Sequence, residues 1–280
     1  MGATTRVVVS ARKGGAGKTV VSVLLARELA KQGFRVLAVD LDPQSVSASL
    51  FFGVDTSSPL PYTAVDLVKG ANGRPFEPRP VTEGLEVIPG NQLDLARLER
   101  ILGQMHEQRK LTMGPNPRRG MLDTRLEAVE ANYNFVVIDT PTAFGEVTTN
   151  ALEAASVVIS PIDMKNAANV KSVDDLEAHM AGLSRQIPVW YVGNKWTKQE
   201  SECREALVRA SQVCGSRLLS ALMPHSSAVS QAMSQGRPLN SSRHGLGAAQ
   251  LAEAVWKLGQ EVISISQQTQ PAAVEGGGTQ

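Results

Sequence analysis

Residues 13–19 read Lys-Gly-Gly-Ala-Gly-Lys-Thr, and they stand between a short β-branched run, Arg6 to Ser10, and a helix-period segment, Lys18 to Gln32. A glycine-rich turn leading from a buried strand into a helix restricts a chain to few folds. The glycines let backbone N–H groups approach an anion closely, and the helix adds the positive end of its dipole. Such a turn is a phosphate-binding loop. Lys18 is placed to reach the β- and γ-phosphates of a nucleotide, and the Thr19 hydroxyl to ligate Mg²⁺. The strict pattern G-x-x-x-x-G-K-[ST] is broken at its first position, where Arg12 replaces glycine.

Further apolar runs follow at Arg35–Val39, Leu85–Ile88, Asn134–Ile138, Ser156–Ser160, Ile187–Val192 and Leu218–Met223. Alternation of such runs with helical segments predicts an α/β fold, a mostly parallel twisted sheet of about seven strands with helices on both faces. In the first helix Val21, Leu24, Leu25, Ala26 and Leu29 share one face. The Pro/Gly-rich stretches Gly70–Pro80 and Leu111–Gly120 read as surface loops too short to link domains. Residues 1–266 are expected to form a single ATPase domain and residues 267–280 a disordered tail, since the latter lack apolar periodicity. A chain of 280 residues with 42% hydrophobic and 20% charged residues is ordinary for a globular protein of this kind.

Other classes are disfavoured. Cys203 and Cys214 are the two cysteines, spaced as no common zinc or iron–sulfur pattern, and are expected to be reduced thiols in the cytoplasm. No apolar run has the length of a signal or membrane-spanning segment. Asp40 and Asp42 follow the second strand at its C-terminal end, where ligands bind in open α/β sheets. Two carboxylates so close repel unless a cation or ordered water lies between them.

Lys13-Gly14-Gly15-Ala16-Gly17-Lys18-Thr19 resembles the deviant Walker A motif of the ParA/MinD superfamily of P-loop NTPases, in its ParA-type branch. Val39–Gln44 is similar to the family's switch I segment, Val137–Pro141 to its Walker B and switch II segment, and Gly84–Asn91 to its L-x-x-I-P-x-N stretch. Asn150–Pro161, Met223-Pro224 and Gln235–Leu239 resemble its later segments, so the likeness runs over about residues 5–265. The resemblance implies a slow, partner-stimulated ATPase with ATP and Mg²⁺ as cofactors. Gly14 to Val20 would cradle the nucleotide, with Lys13 reaching across a homodimer to the partner's phosphates. Asp42 would orient the attacking water, and Asp40 and Asp139 would hold Mg²⁺ waters beside Thr19. Asn194 and Pro224 are expected near the adenine. Val20 stands where the family often has a second threonine, and Thr142 where it often has a second proline, which predicts a more mobile switch II.

The net charge of +1 implies no nucleic-acid partner in bulk, but Ala206 to Ala252 contains no Asp or Glu. Arg209, Arg217, Arg237 and Arg243 lie in that window, with Arg204 just before it. An acid-free basic stretch is an electrostatic footprint for phosphate backbones, and no base-reading motif accompanies it. The expectation is an ATP-dependent homodimer that binds non-specific DNA on the nucleoid and is released by a ParB-like stimulator. A ParA-like ATPase positioning a protein cargo, or a MinD-like ATPase at the membrane, is the alternative. No DNA-reading segment precedes the loop, so operator autorepression is not expected. The helix Ala248–Ile265 places Leu251, Val255, Leu258, Val262 and Ile265 on one face with Lys257 as its one basic residue. Interfacial helices carry a Lys/Arg-rich polar face, so this one is predicted to dock on the core, with no membrane partner.

Overall fold

The computed structural model describes residues 3–44, 47–56, 59–70, 73–113, 121–239 and 246–269. The element order is β1 (Thr5–Val9), α1 (Lys18–Lys31), β2 (Val36–Asp40), α2 (Ala48–Phe52), α3 (Ala64–Lys69), β3 (Arg79–Thr82), β4 (Leu85–Ile88), α4 (Gln92–Met113) and α5 (Met121–Glu127). It continues with β5 (Phe135–Asp139), α6 (Glu146–Ala154), β6 (Val157–Asp163), α7 (Ser172–Met180), β7 (Val189–Trp196), α8 (Ser201–Cys214), β8 (Leu218–Pro224), α9 (Ser227–Ser234) and α10 (Leu246–Thr269). The strands form one sheet in the order β3-β4-β2-β5-β1-β6-β7-β8, parallel except for β3.

The alternation of side chains along buried strands builds two cores. Val8, Leu37, Val39, Ile138 and Val158 point to the face covered by α3 to α8. Val7, Val9, Val36, Ala38 and Val137 point to the face covered by α1, α2, α9 and α10. Both faces are therefore apolar, and the strands read as continuous hydrophobic runs. The predicted stripe of α10 lies in the second core, with Val255, Leu258 and Val262 at most 1% exposed. Among the described residues no helix is long and apolar enough to cross a membrane.

The structure adds one strand to the expected seven. β3 pairs antiparallel with β4 at the sheet edge, through a turn that uses Gly84 at φ +73°. It begins inside the predicted Gly70–Pro80 loop. Pro80 removes a ladder donor, which an edge strand tolerates. Residues 111–113 of the second predicted loop close α4, and its remainder lies outside the described residues. α10 runs to Thr269 and takes in the first three residues of the predicted tail, 267–269; 270–280 lie outside the described residues.

At the base of β1 a buried Arg6 donates to Asp123 and to Glu130, the latter at 2.6 Å, tying β1 to α5 and to the turn before β5.

Candidate functional site

Strand order brings the three sequence motifs together. β2, β5 and β1 are neighbours, and their C-terminal ends lie on one edge, with Asp40 beside Asp139 and Asp139 beside Val9 in register. The loop after β1 carries residues 13–17, the loop after β2 carries Asp42, and the loop after β5 carries Thr140 to Gly145. The sheet reverses its winding at β1, the position where open α/β sheets bind ligands.

Gly17 caps α1 at φ +99°, where an L side chain is strained, and a Cβ there would lie 1.9 Å from Asn194 Nδ2. Gly15 is also at positive φ, +74°, and Gly14 faces open space. Ala16 is buried and gives its carbonyl to Asn194 Nδ2 at 2.7 Å. Lys18, 5% exposed, donates to the Thr142 hydroxyl at 2.9 Å. Burial lowers the pKa of its ammonium, and the charges of Asp139 and Asp42 oppose that shift. Val20 is buried in the core under the loop.

The three carboxylates occupy different surroundings. Asp139 is 1% exposed and accepts from Ser22 at 2.8 Å through one oxygen, while its other oxygen, Oδ2, is buried without a hydrogen-bond partner. Burial, then the charge of Asp40, pushes its pKa up to about 8, against the Ser22 hydrogen bond. Thr19 also hydrogen-bonds this carboxyl. Asp40 is wholly buried. Its oxygens accept from the Asp42 N–H at 3.1 Å and from the Ser49 N–H at 2.8 Å, and from the hydroxyls of Ser49 and Ser47. Burial still raises its pKa above the usual carboxylate value. Ser49 in turn accepts from the Gly90 N–H at 2.9 Å. Asp40 thus ties the loop after β2 to the end of β4, and it lies beside Asp139 in register. Asp42 accepts from the Gln44 N–H at 3.0 Å and opens onto a cleft with Arg12, Pro141, Thr142 and Phe144. Its pKa is raised first by burial.

A buried carboxylate oxygen without a partner, beside a threonine hydroxyl and a phosphate-loop lysine, fits a hard cation shared with phosphate. Among the described residues no three His, Cys, Asp or Glu side chains form a cage of their own. Mg²⁺ characteristically uses one or two carboxylates and the nucleotide's oxygens.

Lys13 and Asn194 both have hydrogen-bond partners within the chain. Lys13 Nζ donates to Asn169 Oδ1 of its own chain, in the turn after β6, and Asn169 Nδ2 donates to the Asp163 carbonyl at 2.9 Å. Lys13 is therefore folded back on its own protomer. Asn194 gives one amide N–H to the Ala16 carbonyl and so braces the phosphate loop, with a second N–H and its Oδ1 remaining on the same side chain. Lys195, at φ +57°, donates to Asp163 at 2.8 Å and fixes the same corner. Pro224 ends β8, paired with Trp196 at the same edge of the sheet. Sequence reasoning passed over Ser22, Ser49, Asn169 and Glu99. Ser22 carried a signal, a polar residue four positions after Lys18 inside an apolar run; the others act through contacts distant in sequence.

The expected basic face is divided. Arg204 and Arg209 are exposed on α8, which packs on the first core. Arg217 is engaged by Glu177 and lies over the Tyr191 ring at 5.5 Å. Arg237 is exposed on the far side of the sheet, where Leu239 N–H donates to the Phe51 carbonyl at the end of α2. Arg243 lies outside the described residues. A window continuous in sequence is split because β8 passes through the sheet between its halves.

A family model described as an AAA domain matches residues 4–186. The Soj sporulation initiation inhibitor protein of Bacillus subtilis is 34% identical over 157 residues, 56% of this chain and 57% of that protein. The chromosome partitioning protein ParA of Caulobacter vibrioides is 29% identical over 270 residues, 94% of this chain and 95% of that protein. The chain thus spans little more than half of the first relative and nearly all of the second. Among solved structures, a variant of Cyanothece McdA in complex with ATP superposes with a TM-score of 0.70 at 21% identity, covering 94% of this chain and 98% of that one.

Proposed function

We propose that this chain, which belongs to the AAA-domain family and is a P-loop ATPase of the ParA/MinD type, works as a dimer switch on DNA. It is a partition or positioning ATPase. In the proposed cycle Mg–ATP closes two protomers into a sandwich that holds non-specific DNA, and hydrolysis stimulated by a ParB-like partner releases it. Residues 1–266 act as one unit in the cytoplasm, associated with the nucleoid. The observation that carries the reading is the convergence of Lys18, Asp139 and Asp42 from three neighbouring strand ends, with one buried carboxylate oxygen left unpaired.

Each group then has a chemical task. The backbone N–H groups of residues 14–19 and the α1 dipole hold phosphate oxygens. Lys18 neutralises charge on the β- and γ-phosphates, and Thr19 with Asp139 holds Mg²⁺. Bound Mg–ATP supplies the electrophilic phosphorus and the cation that screens its charge. Asp42, at the cleft, orients the attacking water and draws on its proton. Lys13 leaves Asn169 and reaches the partner's nucleotide, which couples closure to ATP. Pro224 flanks the base at the sheet edge.

The DNA contacts rest on Arg204 and Arg209 of α8, with Arg217 and Arg237 adding charge to the two faces, and on Arg243. One protomer neutralises few phosphates, so its affinity is weak, about 10⁻⁴–10⁻⁶ M at physiological salt. Joining two protomers makes the second contact intramolecular and gains avidity. The division of the arginines, and the exposure of Val208 and Val213 on α8 at 59% and 43%, favour a second reading in which α8 holds a protein cargo. Light scattering with and without Mg–ATP, and DNA anisotropy over a salt series, test both. ATP-dependent dimers with tighter DNA binding and a steeper salt slope support the first reading. Dimers whose DNA affinity ignores ATP leave the second, and the absence of any ATP-dependent dimer removes the switch itself.

A further inference from the structure

Lys18 must be free to meet a phosphate, yet it is not free in this structure. Its ammonium donates to the Thr142 hydroxyl at 2.9 Å across a sequence separation of 124 residues, and this is its hydrogen-bond partner among the described residues. The segment that carries Thr142 is held at both ends. Before it, Thr140 Oγ1 donates to the Val9 carbonyl at 2.9 Å, fixing the loop to β1. After it, Thr148 Oγ1 donates to the Ala143 carbonyl at 2.7 Å. Glu99, from α4, accepts the N–H groups of Glu146 and Val147 at the start of α6, the second at 2.9 Å. A Cβ at Gly145 would stand 2.1 Å from Glu99 Oε1, so any larger residue there would displace that carboxylate. The segment around Thr142 is thus anchored by hydrogen bonds on both sides. Thr142 is half-buried and lines the cleft that Asp42 opens onto.

We propose that Thr142 is a positioning residue whose hydroxyl oxygen holds Lys18 in the place of a phosphate oxygen until the nucleotide displaces it. The inference rests on the nucleotide-site reading above. A buried ammonium needs an acceptor, and the Thr142 hydroxyl provides one. Arrival of the triphosphate transfers Lys18 from a neutral acceptor to an anionic one. The Thr142 hydroxyl oxygen loses its donor at the cleft beside Asp42 in the same event, which links phosphate arrival to the loop after β5. The resting contact therefore competes with the nucleotide, and its removal favours the bound state.

The test compares wild type, Thr142→Val, Thr142→Ala and Thr142→Ser by equilibrium titration with a fluorescent non-hydrolysable ATP analogue and Mg²⁺. Val keeps the shape and removes the acceptor, Ala removes it without any added bulk, and Ser restores it. The Val and Ala variants are expected to bind about three- to tenfold tighter, the range of a charge-assisted bond partly replaced by cleft water. Melting of their empty forms should fall and recover with the analogue, and Ser should match wild type within about twofold. A merely structural role would weaken binding. Equal or weaker affinity in the folded Val or Ala variant overturns the proposal. Wild type that does not bind the analogue, or Lys18→Ala that binds it equally, overturns the nucleotide-site reading instead.

Discussion

Gly17→Ala is a perturbation whose cost can be worked from two separate features of the loop. A side chain at φ +99° costs about 1–2 kcal/mol against the right-handed region. The new Cβ would also stand 1.9 Å from Asn194 Nδ2, and Asn194 is buried and held by the Ala16 carbonyl. Displacing a packed, bonded side chain costs about a further 1–3 kcal/mol. The variant should lose about 3 kcal/mol in urea denaturation, with a fall in melting temperature of about 6–12 °C for a chain of this size. Asn194→Ala alone should cost about 1 kcal/mol for its hydrogen bond. In the double variant the clash is gone and only the backbone strain remains, so the two changes should be less than additive by about 1–3 kcal/mol. Additivity within about 0.5 kcal/mol would refute the close approach. The same Asn194→Ala variant should lose affinity for ATP and GTP analogues in equal proportion, because its amide braces the loop. A loss confined to ATP would return Asn194 to base recognition.

Asp42→Ala should bind the ATP analogue within about threefold of wild type and lose about 10²–10³ in turnover, measured by phosphate release, as expected for a group that acts on the attacking water. Arg6→Ala should cost roughly 3–5 kcal/mol in urea denaturation, because it leaves the carboxylates of Asp123 and Glu130 without their buried partner. Burial pushes the Cys214 thiol up to about 11, so at pH 8 it stays protonated, and Cys203 is wholly buried with its pKa raised the same way. Both should resist iodoacetamide at pH 8 until the chain is unfolded, as followed by mass spectrometry.

The sheet was legible because its strands are short β-branched runs, and the site because its loop and acids sit at the ends of those runs. β3 was hidden by Pro80, which argues against a strand unless the strand is known to be at an edge. α4 carries Leu95, Leu98 and Leu102 at helical spacing, all buried, but charged residues surround them and Pro/Gly loops flank the region. The contacts of Lys18 with Thr142 and of Glu99 with α6 join positions 124 and 47 residues apart. No local spacing encodes such pairs. They follow from which strands become neighbours, and strand order is set by packing.

The same reasoning explains why three acids of one residue type do not share one role. Asp40 is followed by Ser47 and Ser49, whose hydroxyls and backbone converge on it and occupy its acceptor sites. Asp139 has β1 on one side and β2 on the other; Ser22 of α1 donates to one of its oxygens, and the other is buried without a hydrogen-bond partner. Asp42 lies two residues beyond the strand end, where the chain has turned toward the cleft. Strand neighbours and the segment that follows each strand, rather than residue type, thus give the three carboxylates different surroundings. Charge in the second half of the chain is likewise divided by the position of a strand. Arg209 and Arg237 fall on opposite faces because β8 lies between them. The exposed charge on either face of one protomer is therefore sparse, and the DNA reading proposed above would need a dimer that sets two copies of α8 side by side.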